Sequence, residues 1–141
     1  MSTPLVGSWE LLSRVDRTQR GEERVEPSLG SDPVAFLVFD ATGHFAVQFM
    51  KRNRASGVDA PASGSNNSRA RAGYDAYFGT YTYDEARQEL KTLLKGALSP
   101  ENVGQEFVRR AAVDGEILNL GLDTTAADGQ PVTRTLRWRR V

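Results

Sequence analysis

Apolar and polar residues alternate along this chain in short runs, and the period of two recurs from one end to the other. The first run is Leu5-Val6-Gly7-Ser8-Trp9-Glu10-Leu11-Leu12-Ser13, which sets a large aromatic close to the N-terminus. Pro33-Val34-Ala35-Phe36-Leu37-Val38-Phe39 is apolar on both faces, and after Asp40-Ala41-Thr42-Gly43 the run His44-Phe45-Ala46-Val47-Gln48-Phe49-Met50 returns. That spacing predicts a hairpin with a three-residue loop and Gly43 in the left-handed position. Tyr77-Phe78-Gly79-Thr80-Tyr81-Thr82-Tyr83 alternates aromatics with Thr, both strong strand formers. A tight turn at Glu85-Ala86 leads into Gln88–Leu98, and Ser99-Pro100-Glu101-Asn102 has the form of a helical turn with Pro in first position. Gln105–Val113 and Glu116–Asp123 flank Asp114-Gly115, a two-residue hairpin signal. Leu136-Arg137-Trp138-Arg139-Arg140 ends the pattern.

Three stretches lack it. Arg14–Asp32 is charged and rich in Gly and Ser, and reads as a solvated connection with a short strand around Glu23–Glu26. A polar loop with Asp128-Gly129 and Pro131 precedes the last strand. Lys51–Asp75 is dense in Ala, Ser, Gly, Asn and Arg and has almost nothing to bury. A loop of that length inside a compact domain is a lid or a disordered segment. Within it, Asn67–Tyr74 has the makings of one or two helical turns.

The pattern predicts one all-β domain over residues 1–141, with residues 51–75 as a flexible lid carrying at most a short helix. The expected architecture is a closed up-and-down antiparallel β-barrel of about eight to ten strands, its first and last strands side by side. Trp9 then plugs one end, under Arg140 or Arg137.

Hairpin turns set which residues share a face. About Asp114-Gly115, Ala111 is expected opposite Leu118, Arg109 opposite Leu120 and Phe107 opposite Leu122, which turns Arg109 inward with three leucines. About Glu85-Ala86, Tyr83 is expected opposite Gln88, Tyr81 opposite Leu90, Gly79 opposite Thr92 and Tyr77 opposite Leu94. Leu37, Phe39, Phe45, Val47 and Phe49 join them inside. Gly79 and Thr92 are read as leaving space in mid-barrel. The lining is therefore apolar and aromatic, with three tyrosine hydroxyls, Thr92, Gln88 and one guanidinium.

Composition removes several functions. Eighteen basic residues balance eighteen acidic ones, so no global field points to nucleic acid or to an acidic membrane. There is no cysteine, which excludes disulfides and thiolate metal sites, and the single histidine, His44, leaves no His-rich metal centre. No cofactor is expected. His44 is placed at a hairpin rim and read as inert. Lys51-Arg52-Asn53-Arg54 is read as a solvated face without interleaved aromatics. The opening residues have no basic n-region or apolar h-region, so a soluble cytoplasmic protein is expected.

The ordered motifs are similar to those of the lipocalin and calycin group, and more closely to a bacterial and fungal lipocalin-like family. They are Leu5-Val6-Gly7-Ser8-Trp9, Asp32-Pro33-Val34-Ala35-Phe36-Leu37, Gly43 to Met50, Tyr77-Phe78-Gly79-Thr80-Tyr81, Pro100-x-x-Val103-Gly104-x-Glu106-x-Val108-Arg109-Arg110 and Trp138-x-Arg140. The resemblance implies a small barrel that binds a hydrophobic or amphipathic molecule, with some relatives tied to secondary metabolism. Relatives often carry His where this chain has Thr92-Leu93 and an aromatic where it has Asn102, so chemistry using those side chains is not expected.

The expected ligand-binding residues are Phe45, Val47, Phe49, Tyr77, Tyr81, Tyr83 and Leu90. Thr92, Leu94, Phe107, Arg109, Leu120 and Trp138 complete the set. Arg109 either holds a ligand carboxylate, enolate or phenolate in its fork, or is neutralised within the protein by a tyrosine, Glu106 or a stacked ring. Binding of a hydrophobic or amphipathic small molecule, anionic if Arg109 takes part, is the leading reading. One alternative is a cofactor-free cyclase or isomerase for a polyketide- or terpenoid-like substrate, with Tyr81 or Tyr83 as acid and Arg109 stabilising negative charge. Another is a non-catalytic accessory protein with a filled barrel. The apolar outer face of the Phe36 strand leaves monomer and homodimer both open.

Overall fold

The computed structural model describes residues 3–52 and 72–141. Nine strands run β1 (Gly7–Thr18), β2 (Glu23–Arg24), β3 (Val34–Phe39), β4 (His44–Met50), β5 (Tyr74–Asp84), β6 (Glu89–Ala97), β7 (Glu106–Asp114), β8 (Ile117–Thr125) and β9 (Pro131–Arg140). A 3-10 turn, Pro100–Asn102, lies between β6 and β7, and the Ser99 side chain does not cap it. From β3 to β9 each strand pairs with the next, and β1 pairs with both β3 and β9. All pairs are antiparallel, so eight strands close a barrel and β2 is a short flap on β1. No helix among the described residues is long and apolar enough to cross a membrane.

Alternation does what the sequence implies. Leu37 and Phe39, Phe45, Val47 and Phe49, Phe107 and Ala111, and Leu118 and Leu122 are all buried inside. Phe36 and Phe78, on the opposite parity, are about half exposed on the outer surface. Phe39 faces Phe45 and Leu37 faces Val47 as expected, with Gly43 at φ 93°.

Two hairpins are offset from expectation by two residues. In the first, Tyr83 pairs with Leu90, Tyr81 with Thr92 and Gly79 with Leu94. The loop is four residues long because the Asp84 carboxylate accepts the Arg87 N–H at 3.1 Å, and it leaves Gln88 exposed at φ 53° instead of in the lining. In the second, Ala111 pairs with Leu120 and Asp114 with Ile117, so the loop is Gly115-Glu116. Its only left-handed residue is Gly115, which suits the first position of a type II′ turn. An even offset keeps every strand side chain on its face, so apart from Gln88 the expected lining of these strands keeps its inward face through both corrections.

Gly79 does not open space in the lumen. A Cβ there would lie 1.9 Å from the Leu93 carbonyl oxygen, because a bulge opposite Phe78/Gly79 presses the β6 backbone inward. Below it, the barrel end where the chain begins is sealed. Trp9 is fully buried, donates its indole N–H to the Leu5 carbonyl at 2.9 Å, and lies 4.2 Å beneath the Arg140 guanidinium. Arg140 also donates to the Val6 and Pro4 carbonyls at 2.7 and 2.8 Å. Trp9 is thus the expected plug, with Arg140 as its partner.

The largest departure is in β1, which continues five residues past Ser13 into the stretch expected to be solvated. Trp9 pairs with Arg140 and Leu11 with Trp138, then the ladder slips between Leu11 and Ser13, so that Arg14 pairs with Leu136 and Asp16 with Arg134. Without that bulge at Leu12, inward positions would stay odd-numbered and Arg14 and Asp16 would face water. The bulge turns both inward. The connection after β2 folds back in turn, burying Glu26, Ser28 and Leu29. Tyr74 and Asp75, expected in the lid, belong to β5. Residues 53–71 of the expected lid, with residues 67–71 of its helical turns, lie outside the described residues. Pro131, expected in a loop, opens β9.

Candidate functional site

The barrel encloses a cavity of about 50 Å³. A void of about 150 Å³ is needed for a benzene-sized guest, so the free space holds a few waters and no more. Its walls come from every strand of the closed ring. β3 and β4 give Leu37, Phe39, Phe45, Val47 and Phe49; β5 and β6 give Tyr77, Leu90 and Thr92. β7 and β8 give Phe107, Arg109, Leu120 and Leu122; β9 gives Arg134, Leu136 and Trp138, and β1 gives Arg14.

The aromatic walls touch one another. Tyr77 meets Phe107 edge-on at 6.1 Å and Phe45 at 6.1 Å, and Phe49 bridges Tyr77 at 6.5 Å to Trp138 at 5.9 Å. These tilted contacts join five aromatic side chains into one apolar wall of the cavity.

Three guanidiniums are buried here, not the single one expected. Arg134 is 1% exposed and grips Asp16 through Nε and Nη2 at 2.7 and 2.9 Å. Arg14 reaches Glu26 at 3.2 Å, and Glu26 is held in turn by the Ser28 hydroxyl and by the Ser28 and Leu29 N–H groups. Arg109 is 7% exposed, lies 4.8 Å over the Phe107 ring and donates Nη1 to the Val108 carbonyl at 3.0 Å. Among the described residues no carboxylate pairs with it. Burial pushes the Arg109 pKa down from its ordinary value, Arg134 adds to that, and Tyr77 opposes it. Burial likewise lowers Arg14, with Arg134 reinforcing the shift and Glu26 and Asp16 countering it. The three cations therefore share one electrostatic neighbourhood.

Three N–H groups in these walls have no acceptor: Arg109 Nη2, Arg134 Nη1 and Trp138 Nε1. Each buried orphan costs about 1–3 kcal/mol, and a guanidinium costs more than an indole. Asp75, fully buried on β5, has the opposite lack. Its Oδ1 accepts the Ala76 N–H at 3.0 Å and its Oδ2 has no donor. Burial raises its pKa to about 6, against the pull of that N–H and of Arg14.

Of the residues expected to contact ligand, Phe45, Val47, Phe49, Tyr77, Leu90, Thr92, Phe107, Arg109, Leu120 and Trp138 stand in the cavity wall. Leu94, Tyr81 and Tyr83 do not. Leu94 is solid core, while Tyr81 packs on Phe39 at 4.8 Å and donates its hydroxyl to the Asp40 carbonyl at 2.7 Å. The Tyr83 hydroxyl donates to the Ala111 carbonyl at 2.7 Å. Burial raises both phenol pKa values, which suits hydroxyls fixed as donors. His44 is exposed beside its hairpin and joined to Thr42, away from the cavity. Reasoning from sequence missed Arg14, Asp16, Glu26 and Arg134. The one available signal was Arg134 itself, which shares its parity with Leu136 and Trp138. A comparison with curated proteins gives no match. A family model of the lipocalin-like domain matches residues 6–141, nearly the whole chain, and the chain belongs to that family.

Proposed function

We propose that the protein binds one hydrophobic or amphipathic small molecule inside the barrel. A lipocalin-like barrel is a scaffold for small-molecule binding in general. The observation that carries the reading is a continuous ring-lined wall, Phe45, Tyr77, Phe107, Phe49 and Trp138, around a space that core packing leaves unfilled. Phe45, Val47, Phe49, Tyr77, Leu90, Thr92, Phe107, Leu120 and Trp138 would contact the apolar body, with Arg109 at its polar end. A guest larger than the free volume requires rotation of the Phe49 and Tyr77 rings, whose edge contacts, at about 0.5–1.5 kcal/mol each, are weak enough to exchange.

Binding is supported over a cofactor-free cyclase or isomerase by the two tyrosines proposed as acids. Both hydroxyls are committed to main-chain carbonyls and neither residue lines the cavity. The volume of about 50 Å³ is what favours the second reading, an accessory barrel filled by its own side chains.

A titration with the neutral fluorophore N-phenyl-1-naphthylamine separates the two. One saturable site, lost in a Thr92→Phe variant that fills the cavity while keeping wild-type circular dichroism, is the expected result. Absence of saturable binding by the wild-type protein would leave the filled barrel as the function-bearing description.

A further inference from the structure

We infer that the ligand is a carboxylate, seated between the Arg109 and Arg134 guanidiniums with the Trp138 indole N–H as a third donor. This deepens the binding reading above and rests on it. Arg109 Nη2, Arg134 Nη1 and Trp138 Nε1 are all donors, all lack an acceptor, and all belong to residues in the wall of the same cavity. A hydroxyl or amide ligand would meet them with donors of its own as well as acceptors. A carboxylate is acceptor-only, its two oxygens offer about four lone-pair sites, and it neutralises charge while it bonds.

The two arginines are prepared differently for that role. Arg134 is fixed from behind, its Nε and Nη2 taken by Asp16, so only Nη1 remains to offer. Arg109 has one main-chain carbonyl, one ring face and the Tyr77 phenol as neighbours, and its guanidinium and that of Arg134 repel each other. An anion between them removes the repulsion and satisfies both orphans in one step. Each of these atoms has less than 1 Å² accessible, so seating the carboxylate takes a small shift of the Arg109 side chain, the less constrained of the two. Behind the head group, the tilted rings of Phe49, Tyr77 and Phe107 take a flat apolar body.

The test is calorimetry with matched acid and amide pairs on the full chain: benzoate against benzamide, and 2-naphthoate against 2-naphthamide. The acids are expected to bind about tenfold or more tightly than their amides, with quenching of the Trp138 emission. In Arg109→Met the acids should lose about tenfold and the amides distinctly less, so that the acid-over-amide preference shrinks. Equal affinity for acid and amide in the wild-type protein overturns the carboxylate assignment and leaves the apolar binding reading standing. Failure of all four compounds, together with failure of N-phenyl-1-naphthylamine, overturns both. The wild-type comparison decides the matter even where Arg109→Met does not fold, and Trp138→Phe, which removes one donor and keeps a ring, supplies a second variant.

Discussion

Asp75 gives the most direct check on the electrostatics of the interior. Its carboxyl is fully buried, one oxygen has no donor, and its pKa is raised from 3.8 to about 6. The folded chain therefore holds this proton more tightly than the unfolded chain does. Folding takes up a proton between pH 3.8 and about 6, so this group's contribution to stability falls as pH rises through that window. At 1.36 kcal/mol per pKa unit, the full cost above about pH 6 is about 3 kcal/mol. Asp75→Asn keeps the acceptor for the Ala76 N–H and cannot ionise. Urea denaturation of both proteins from about pH 4 to about pH 8 isolates the term as a difference, since every other titrating group is common to both. The variant should gain about 2.5 kcal/mol on wild type across that range, most of it by pH 7. Parallel stability curves would refute a buried, proton-holding Asp75.

Three further outcomes follow from the packing. Asp16→Ala strands the Arg134 guanidinium in the core and should cost about 3–5 kcal/mol in urea denaturation; a loss under about 1 kcal/mol would mean that Arg134 finds water. Deleting Leu12 removes only the bulged residue and should preserve a native near-ultraviolet spectrum, whereas deleting Val15 turns Asp16 outward and should unfold the barrel; equal effects would contradict the β1 register. Gly7→Ala forces a side chain onto φ 136° and within 2.6 Å of Arg140 Nη1, and should lower stability by about 2–3 kcal/mol, read as a fall in thermal midpoint.

Local pattern carries much of this molecule because strand parity is a local property. Whether Phe107 or Val108 faces the core depends on their neighbours, and an even error in hairpin length leaves the answer unchanged for residues that stay in the strands, as at Leu90 and Thr92 and at Leu118 and Leu120. Gly7-x-Trp9 and Arg140 likewise announced a plug, since an early Trp needs cover and the last strand supplies a cation above its ring.

Distance-dependent facts were beyond its reach. A bulge at Leu12 changes parity by one, and no alternation in Arg14-Val15-Asp16-Arg17 marks it, so charges that read as solvated are buried by their partners on β9 and in the loop at Glu26. Gly79 is small because a neighbouring backbone crowds it, which only the folded β6 reveals. The residue sequence by itself determined an antiparallel barrel, most of its inward apolar set and the inward Arg109, because these follow from a period of two. Only tertiary structure decided that three cations share one cavity and that two of them keep an N–H without an acceptor, because burial and pairing are settled between strands far apart in the chain.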